Sequence, residues 1–347
     1  MHCGVEVTRG GVVESVHAVS VAICRMSPAG DESIVDVGVA GSTAESGELP
    51  LVFARSAVKP LQAVPLIESG AAERFGLDDA EIAVATGSHQ GDTIHVATVR
   101  SLLAKAGLRP ESLACGIHRP LGLAAAEAIA REGGQPQALH NNCSGKHAGM
   151  LAVCRHLGFS VAGYTAADHP VQRMVSTTLC EFAGVPESDV VTGIDGCGIP
   201  ALAMPLEAWA RAYARFGSAS GLSTQRSHAA ERLRYAMASR PVFIAGAKQF
   251  DSVVAELLGP TVLVKTGAEG TLAGVVVDAE RATGLAVKAH DGAGRAARAV
   301  MAKLLLVLGV ARQPEAIAYL AREANEQLVN HAGTRVGAVR VVLPASA

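Results

Sequence analysis

The sequence predicts a mixed α/β (α+β) fold: one antiparallel sheet built from both chain ends and covered by helices, with a mainly helical lobe between them. Three observations predict it. Strand-like runs occur at 15–24 and 33–41, and again at 261–267, 271–278 and 284–292. Helical periodicity fills the interval. Neither strand group is large enough to be stable alone, because two or three short strands bury too little apolar surface. Pairing the two groups in one sheet is the economical solution. The sheet region is then 1–54 plus 246–347 and the helical lobe 55–245, the whole of 1–347 forming one unit whose site lies where sheet and lobe meet.

The elements follow in order. SVHAVSVAIC and SIVDVGVAG are separated by a turn containing Pro28, Gly30 and Asp31 and read as a hairpin. A helix is expected from Ser56 to Ser69, ended by Gly70, with Pro60 tolerated only in a first turn. LDDAEIAVATG reads as a helix capped by Asp, although its apolar run also suits a strand. DTIHVATVRSLLAKAGL is helical up to Gly107, and helical spacing recurs at 146–157, 169–183, 205–215 and 225–239. TVLVKTG, TLAGVVVD and GLAVKAHDG are short, β-branched and broken by turns, a meander of three strands. GRAARAVMAKLLLVLG and PEAIAYLAREAN are helices, and TRVGAVRVVLP is a closing strand.

Composition narrows the function classes. The chain has 347 residues, 49% hydrophobic and 18% charged, which excludes disorder. Aromatics are only 3%, so the core must be packed from Ala, Val and Leu. A net charge of -2, with no basic patch interleaved by aromatics, argues against nucleic acid. MHCGVEVTRGG lacks the apolar core of a signal peptide, and AVMAKLLLVLGVA is too short to span a bilayer and is interrupted by Lys303. A cytoplasmic location is the expectation. The seven cysteines then read as thiols or metal ligands, not as a disulfide framework.

Four constellations carry chemistry. In ARSAVKP, Ser56 and Lys59 are three apart and share a helix face, so a neutral amine could take the proton of the hydroxyl. A solvated pair at a helix start is the plainer reading. Lys265 in VKTG lies on a late strand, and S-x-x-K early with K-T-G late is the pattern of penicillin-recognising serine acyltransferases. Two lysines near one serine depress each other's pKa, which supplies a neutral base. ATGSHQGD offers a second serine, Ser88, followed by His89, although Ser88 or Asp92 could equally cap a helix. HNNCSGKHAGM and GIDGCGIP place Cys143 and Cys197 in glycine-rich loops. Two thiolates and a nitrogen would suit zinc with an open fourth position. His147 is the ordinary nitrogen ligand, Lys146 an unusual one that must first lose its proton, and free buried thiols are the alternative.

Together these elements resemble the class 3, or rhizobial-type, L-asparaginases. The resemblance rests on RGGVVESVH, ARSAVKPLQA, SHQGD, NNCSGKHAGML, DHPVQ, DGCGIP and VKTGAEG, with NCSGKH followed by DGC the most specific pair. It runs over nearly the whole chain, and residues 215–260 match poorly. It implies a fold similar to serine β-lactamases and glutaminases, a homodimer, and hydrolysis of L-asparagine to L-aspartate and ammonia. It further implies two Ser–Lys pairs, Ser56 with Lys59 and Ser88 with Lys265, and zinc held by Cys143, Lys146 and Cys197 with water at the fourth position. Arg55, His147 and Asp195 match residues of the family's substrate pocket.

On that basis Ser56 is expected to attack the amide carbonyl with Lys59 as base, while Ser88 and Lys265 relay a proton to the leaving ammonia. The oxyanion should be met by the N–H of Ser56 and of a residue just after Lys265, Ala268 being the candidate. Arg55 and Asp195 are candidates for the carboxylate and ammonium of the zwitterionic substrate. Zinc is expected to shape the pocket. Three alternatives stand beside this: a glutaminase with the same chemistry, a β-lactamase or D,D-peptidase, and a non-catalytic zinc-dependent amino-acid sensor.

Overall fold

The computed structural model describes residues 4–37 and 51–342. Eleven strands and a set of helices are arranged in two sheets and two hydrophobic clusters among these residues. In chain order the strands are β1 (Gly4–Arg9), β2 (Val12–Met26), β3 (Glu32–Val37), β4 (Leu51–Phe53), β5 (Val191–Ile194), β6 (Pro200–Pro205), β7 (Val262–Thr266), β8 (Thr271–Val277), β9 (Ala282–Ala289), β10 (Gln327–Val329) and β11 (Arg335–Val342).

The main sheet runs β10-β11-β1-β2-β9-β8-β7, with β3 also paired to β2, and every pairing is antiparallel. Both chain ends build it, as the sequence predicts. β2 is the hinge of the arrangement. Its first half pairs with β1 (Gly4 opposite Ala18), and its second half pairs with β9 (Val21 opposite Val287) and with β3. The expected early strand at 33–41 is seen as β3, and 38–41 lie outside the described residues.

Side-chain alternation shows that both faces of the sheet are buried. Val19, Val21, Ile23, Leu285 and Val287 share one cluster with Ala296, Val300 and Leu304 of the helix Gly294–Val307. Ala22, Cys24, Met26 and Ala286 point the other way, into a cluster with Trp209, Tyr213 and Phe216 of the helix Leu206–Ser218. Burial on both faces is why these strands read as continuous apolar runs. The helix Leu206–Ser218 lies so close that a Cβ at Gly284 would come within 1.9 Å of Ala210 O. The same helix fixes the segment that opens the helical lobe: Trp209 Nε1 donates to Val52 O at 2.8 Å, and the Tyr213 hydroxyl donates to Ala57 O.

One expectation needs correction. The single helix from Ser56 to Ser69 is broken into a 3-10 turn, Arg55–Val58, and two short helices, Lys59–Gln62 and Val64–Glu68. Pro60 and Pro65 each sit in the first turn of a short helix, and each lacks the N–H for the carbonyl four residues earlier, which its ring also crowds. Within the mainly helical lobe, β5 and β6 join β4 in a separate antiparallel sheet. LDDAEIAVATG settles as the helix Asp79–Ala85, with Asp78 and Glu81 in a reciprocal capping box. No described helix is long and apolar enough to cross a membrane.

Candidate active site

The site is built around the 3-10 turn Arg55–Val58. Arg55 has φ 52, a left-handed backbone in a non-glycine residue, which costs about 1–3 kcal/mol and persists only where surrounding contacts enforce it. The enforcing contacts come from the late strand. Gly267, just past β7, abuts the turn so closely that a Cβ there would lie 2.6 Å from Ala54 O and 3.1 Å from Ala57 N. Early S-x-x-K and late K-T-G segments are therefore in contact. Ala268 follows in the turn from β7 to β8, where its carbonyl accepts from Thr271 N at 3.3 Å.

Lys59 is completely buried. Its Nζ lies 2.8 Å from Gly87 O, 2.9 Å from Ser88 Oγ and 3.3 Å from Asn142 O. All three partners are neutral. Burial, joined by the nearby Lys146 and Lys265 charges, outweighs the opposing pull of Cys143 and brings Lys59 down to about 8. The hydroxyl it touches is Ser88; Ser56, three residues before it, makes no side-chain hydrogen bond among the described residues.

Ser88 sits in the loop before the helix Thr93–Lys105, its N–H held by Ile244 O at 2.8 Å. His89 braces this loop. Gly91 N donates to its Nδ1 at 3.1 Å, which leaves Nε2 to carry the proton toward Ser144 Oγ at 2.9 Å. Burial, with His95 and Lys59 nearby, holds the His89 imidazole well below its usual value, so it serves as a neutral strut. Ser144 opens the helix Ser144–Leu157, so His89 ties the Ser88 loop to the helix that carries Lys146 and His147.

Lys265 is not hydrogen-bonded to Ser88. Its Nζ donates to Asp251 Oδ2 at 2.6 Å and to Thr266 O at 3.0 Å, and both members of this ion pair are buried. Asp251 lies in the first turn of the helix Phe250–Leu258, inside the stretch where the motifs are silent. The expected pairs thus regroup: Lys59 is with Ser88, and Lys265 is with a carboxylate.

Arg55 and Asp195 meet each other, Nε to Oδ1 at 2.7 Å. Asp195 Oδ1 also accepts from Gly196 N at 2.8 Å. Burial would raise its pKa, but Lys146 and Arg55 prevail and hold it below the usual carboxylate range. The turn that presents it closes through Gly198 N–H to Asp195 O, with Gly198 at φ 88, a backbone conformation that favours glycine.

Cys143, Lys146 and Cys197 converge below this turn, all buried. Lys146 Nζ donates to Cys197 Sγ at 3.2 Å. A hydrogen bond links the two thiols. The hydrogen bond from Cys197, aided by Lys59 and Lys146, holds Cys143 well below the usual thiol value, and the same bond with burial pushes Cys197 up. Burial pulls Lys146 down, yet Cys143, Cys197 and Asp195 together leave it raised. Two sulfurs and an amine form a donor set that fits zinc, provided the lysine loses its proton. No group of three His, Cys, Asp or Glu among the described residues could hold a metal, so a site here needs the lysine as its third ligand. His147 turns elsewhere: its Nδ1 is 2.6 Å from the Tyr164 hydroxyl, which already accepts from Ala114 N, and its Nε2 has no hydrogen-bond partner. Burial, with Lys146 and Lys59 beside it, holds His147 well below its usual value.

The motifs did not reveal Asp251, the His89 brace or the carbonyls of Gly87 and Asn142. Elsewhere, a groove of about 780 Å³ is lined by Arg25, Asp278, Arg281 and Arg312, and none of the buried titratable groups reaches it.

Comparison with known proteins bears on this constellation. No curated protein sequence matches the chain. Among solved structures it is distantly similar to Mglu in its native form, at 13% identity and TM-score 0.37, over 79% of this chain and 60% of that one. It is also similar to a Bacillus glutaminase in the presence of 4.3 M NaCl, at 10% identity and TM-score 0.32, over 79% of this chain and 85% of that one. The chain thus spans about 60% of the length of Mglu. The L-asparaginase II family matches residues 5–341, which takes in both lysines, both serines and the two loop cysteines. With that match over nearly its whole length, the chain belongs to the L-asparaginase II family, a family of amidohydrolases.

Proposed function

We propose that the chain hydrolyses the side-chain amide of L-asparagine to L-aspartate and ammonia through a serine-bound acyl intermediate. One observation carries the reading: Lys59 is fully buried, lacks a carboxylate partner and rests against a serine hydroxyl. A neutral Lys59 donates its two N–H groups to Gly87 O and Asn142 O and keeps its lone pair for a hydroxyl proton.

Ser56 Oγ attacks the amide carbonyl, and its proton passes to Lys59 Nζ. The developing oxyanion is met by the N–H groups of Ser56 and Ala268, a pairing supported by the close approach of Gly267 to Ala54 and Ala57. The C–N bond then breaks, and the proton on Lys59 returns through the Ser88 hydroxyl to the leaving nitrogen, giving ammonia. Water adds to the acyl carbon, Lys59 takes its proton, and aspartate leaves as Ser56 regains its hydrogen. This keeps Ser88 as relay but gives it Lys59 as its lysine.

The Arg55–Asp195 pair suits a zwitterion. Arg55 takes the α-carboxylate and Asp195 the α-ammonium, so one ion pair is exchanged for two of the same total charge. Cys143, Lys146 and Cys197 would hold zinc, which, when bound, would fix the two thiolates and the loop bearing Asp195. The homodimer that the family resemblance implies is carried with this reading, and light scattering on the purified protein checks it.

The test is ammonia release from asparagine, run beside glutamine and repeated on Ser56→Ala. The reading expects asparagine turnover, and a loss of about 10⁴-fold or more in kcat for the variant with its fold retained. Binding of asparagine without ammonia would make the protein a sensor, and faster release from glutamine would make it a glutaminase.

A further inference from the structure

We propose that Asp251 is a positioning residue that holds Lys265 in place as a permanent cation, so that Lys265 serves the reaction by its charge and not as a base. The role in catalysis rests on the amidohydrolase reading above. The geometry carries the proposal. One carboxylate receives three donors from two consecutive residues of the K-T-G segment: Lys265 Nζ at 2.6 Å and Thr266 N at 2.9 Å on Oδ2, and the Thr266 hydroxyl on Oδ1. Asp251 and Lys265 are 2% and 0% exposed, so neither has water as an alternative partner. Two Lys265 N–H groups are committed, to Asp251 and to Thr266 O, leaving one for the cleft.

An amine bonded to a buried carboxylate is a donor only and has no lone pair to offer. Lys59 has no carboxylate partner among the described residues; its partners are two carbonyls and a hydroxyl, with the Cys143 thiol also beside it. The Lys265 charge also reaches Lys59, which it pushes toward the neutral form. Asp251 further fixes the end of β7, and two residues beyond Lys265 that strand presses Gly267 against the Ser56 turn. The carboxylate therefore sets both the charge of Lys265 and the depth of the segment bearing Ala268. The charged or titratable groups around this pair are Lys59 across the cleft and, within electrostatic reach of Asp251, Tyr213 on the sheet-facing helix and Tyr319 on the helix Pro314–Ala324.

Two measurements test it. The first is independent of turnover: the side-chain NMR signal of Lys265, assigned by its loss in Lys265→Met, is read near neutral pH in the full chain. An ammonium is expected in the wild type and a neutral amine in Asp251→Asn, because a buried lysine without its counter-ion gives up its proton. A neutral amine in the wild type, or the same ammonium in the variant, overturns the proposal. The second is a double-mutant cycle on kcat. Asp251→Asn alone should lower kcat about 100-fold with KM changed less than about threefold, and should cost less than about threefold when added to Lys265→Met. An equal loss in both backgrounds would mark a purely structural role and overturn it. If Asp251→Asn does not fold, Asp251→Glu, which keeps the carboxylate, should retain the ammonium signal and fold; its loss of that signal counts against the proposal. A wild type that hydrolyses neither amide removes the amidohydrolase reading, and the NMR result still decides whether Asp251 sets the charge of Lys265.

Discussion

Lys59 and Lys265 are both fully buried and near enough for the charge of one to act on the other, yet their hydrogen-bond partners differ. Lys59 rests against two carbonyls and a hydroxyl with the Cys143 thiol beside it, Lys265 against a carboxylate. Both are buried, so burial alone cannot assign their roles. The partner does: neutral acceptors leave an amine free to exchange protons, and a carboxylate commits it to being a cation. An S-x-x-K and a K-T-G therefore bring two chemically different lysines to one serine turn.

The comparison can be broken most directly at Lys59. Lys59→Met should lower kcat about 10³-fold, the scale of a lost general base, as read by ammonia release. The wild-type rate should climb as pH rises through about 8, because the fraction of neutral Lys59 grows, and should level off above it. A cation held at Cys143 and Cys197 would move that limb to lower pH. A flat or acid-peaked profile would remove Lys59 as the base. Lys265→Met should cost less, about 10²-fold in kcat, and the alkaline climb should survive, since its charge and not its proton is lost. Gly267→Ala sharpens the picture further. The added methyl, 2.6 Å from Ala54 O, must push the strand away from the Ser56 turn, and about a tenfold fall in kcat is expected while the thermal melt stays cooperative. The smallest effect should come from chelation. Stripping metal from the Cys143 cluster is expected to raise KM about fivefold and to leave kcat within about twofold, because zinc would order the Asp195 loop without meeting the amide. Total loss of turnover would place the metal in the chemistry.

The sheet was legible because strands buried on both faces advertise themselves as apolar, β-branched runs, whichever chain end they come from. The small β4-β6-β5 sheet was not: VTGI and PALAMP are short, carry Gly or Pro, and show no alternation. The Ser56–Ser69 segment is broken because Pro60 and Pro65, five residues apart, each open a new short helix, and the apolar spacing runs on through both. Within the site, residue types were legible and pairings were not. S-x-x-K puts a lysine one turn from a serine, yet which hydroxyl its amine reaches depends on how the Ser88 loop is tethered to Ile244, a contact between residues 156 positions apart. Asp251 looked like any acidic residue in a helix's first turn, where the helix dipole alone would account for it.

The close approach of Gly267 to the Ser56 turn has a consequence for synthesis. Residues 56, 59 and 88 leave the ribosome long before the strand that completes their surroundings. On the mechanism proposed above, a nascent or C-terminally clipped chain would carry nucleophile and base but neither the fixed positive charge nor the second oxyanion donor. Amide cleavage is thus expected to switch on only after the last strands have docked, making activity a late reporter of finished folding.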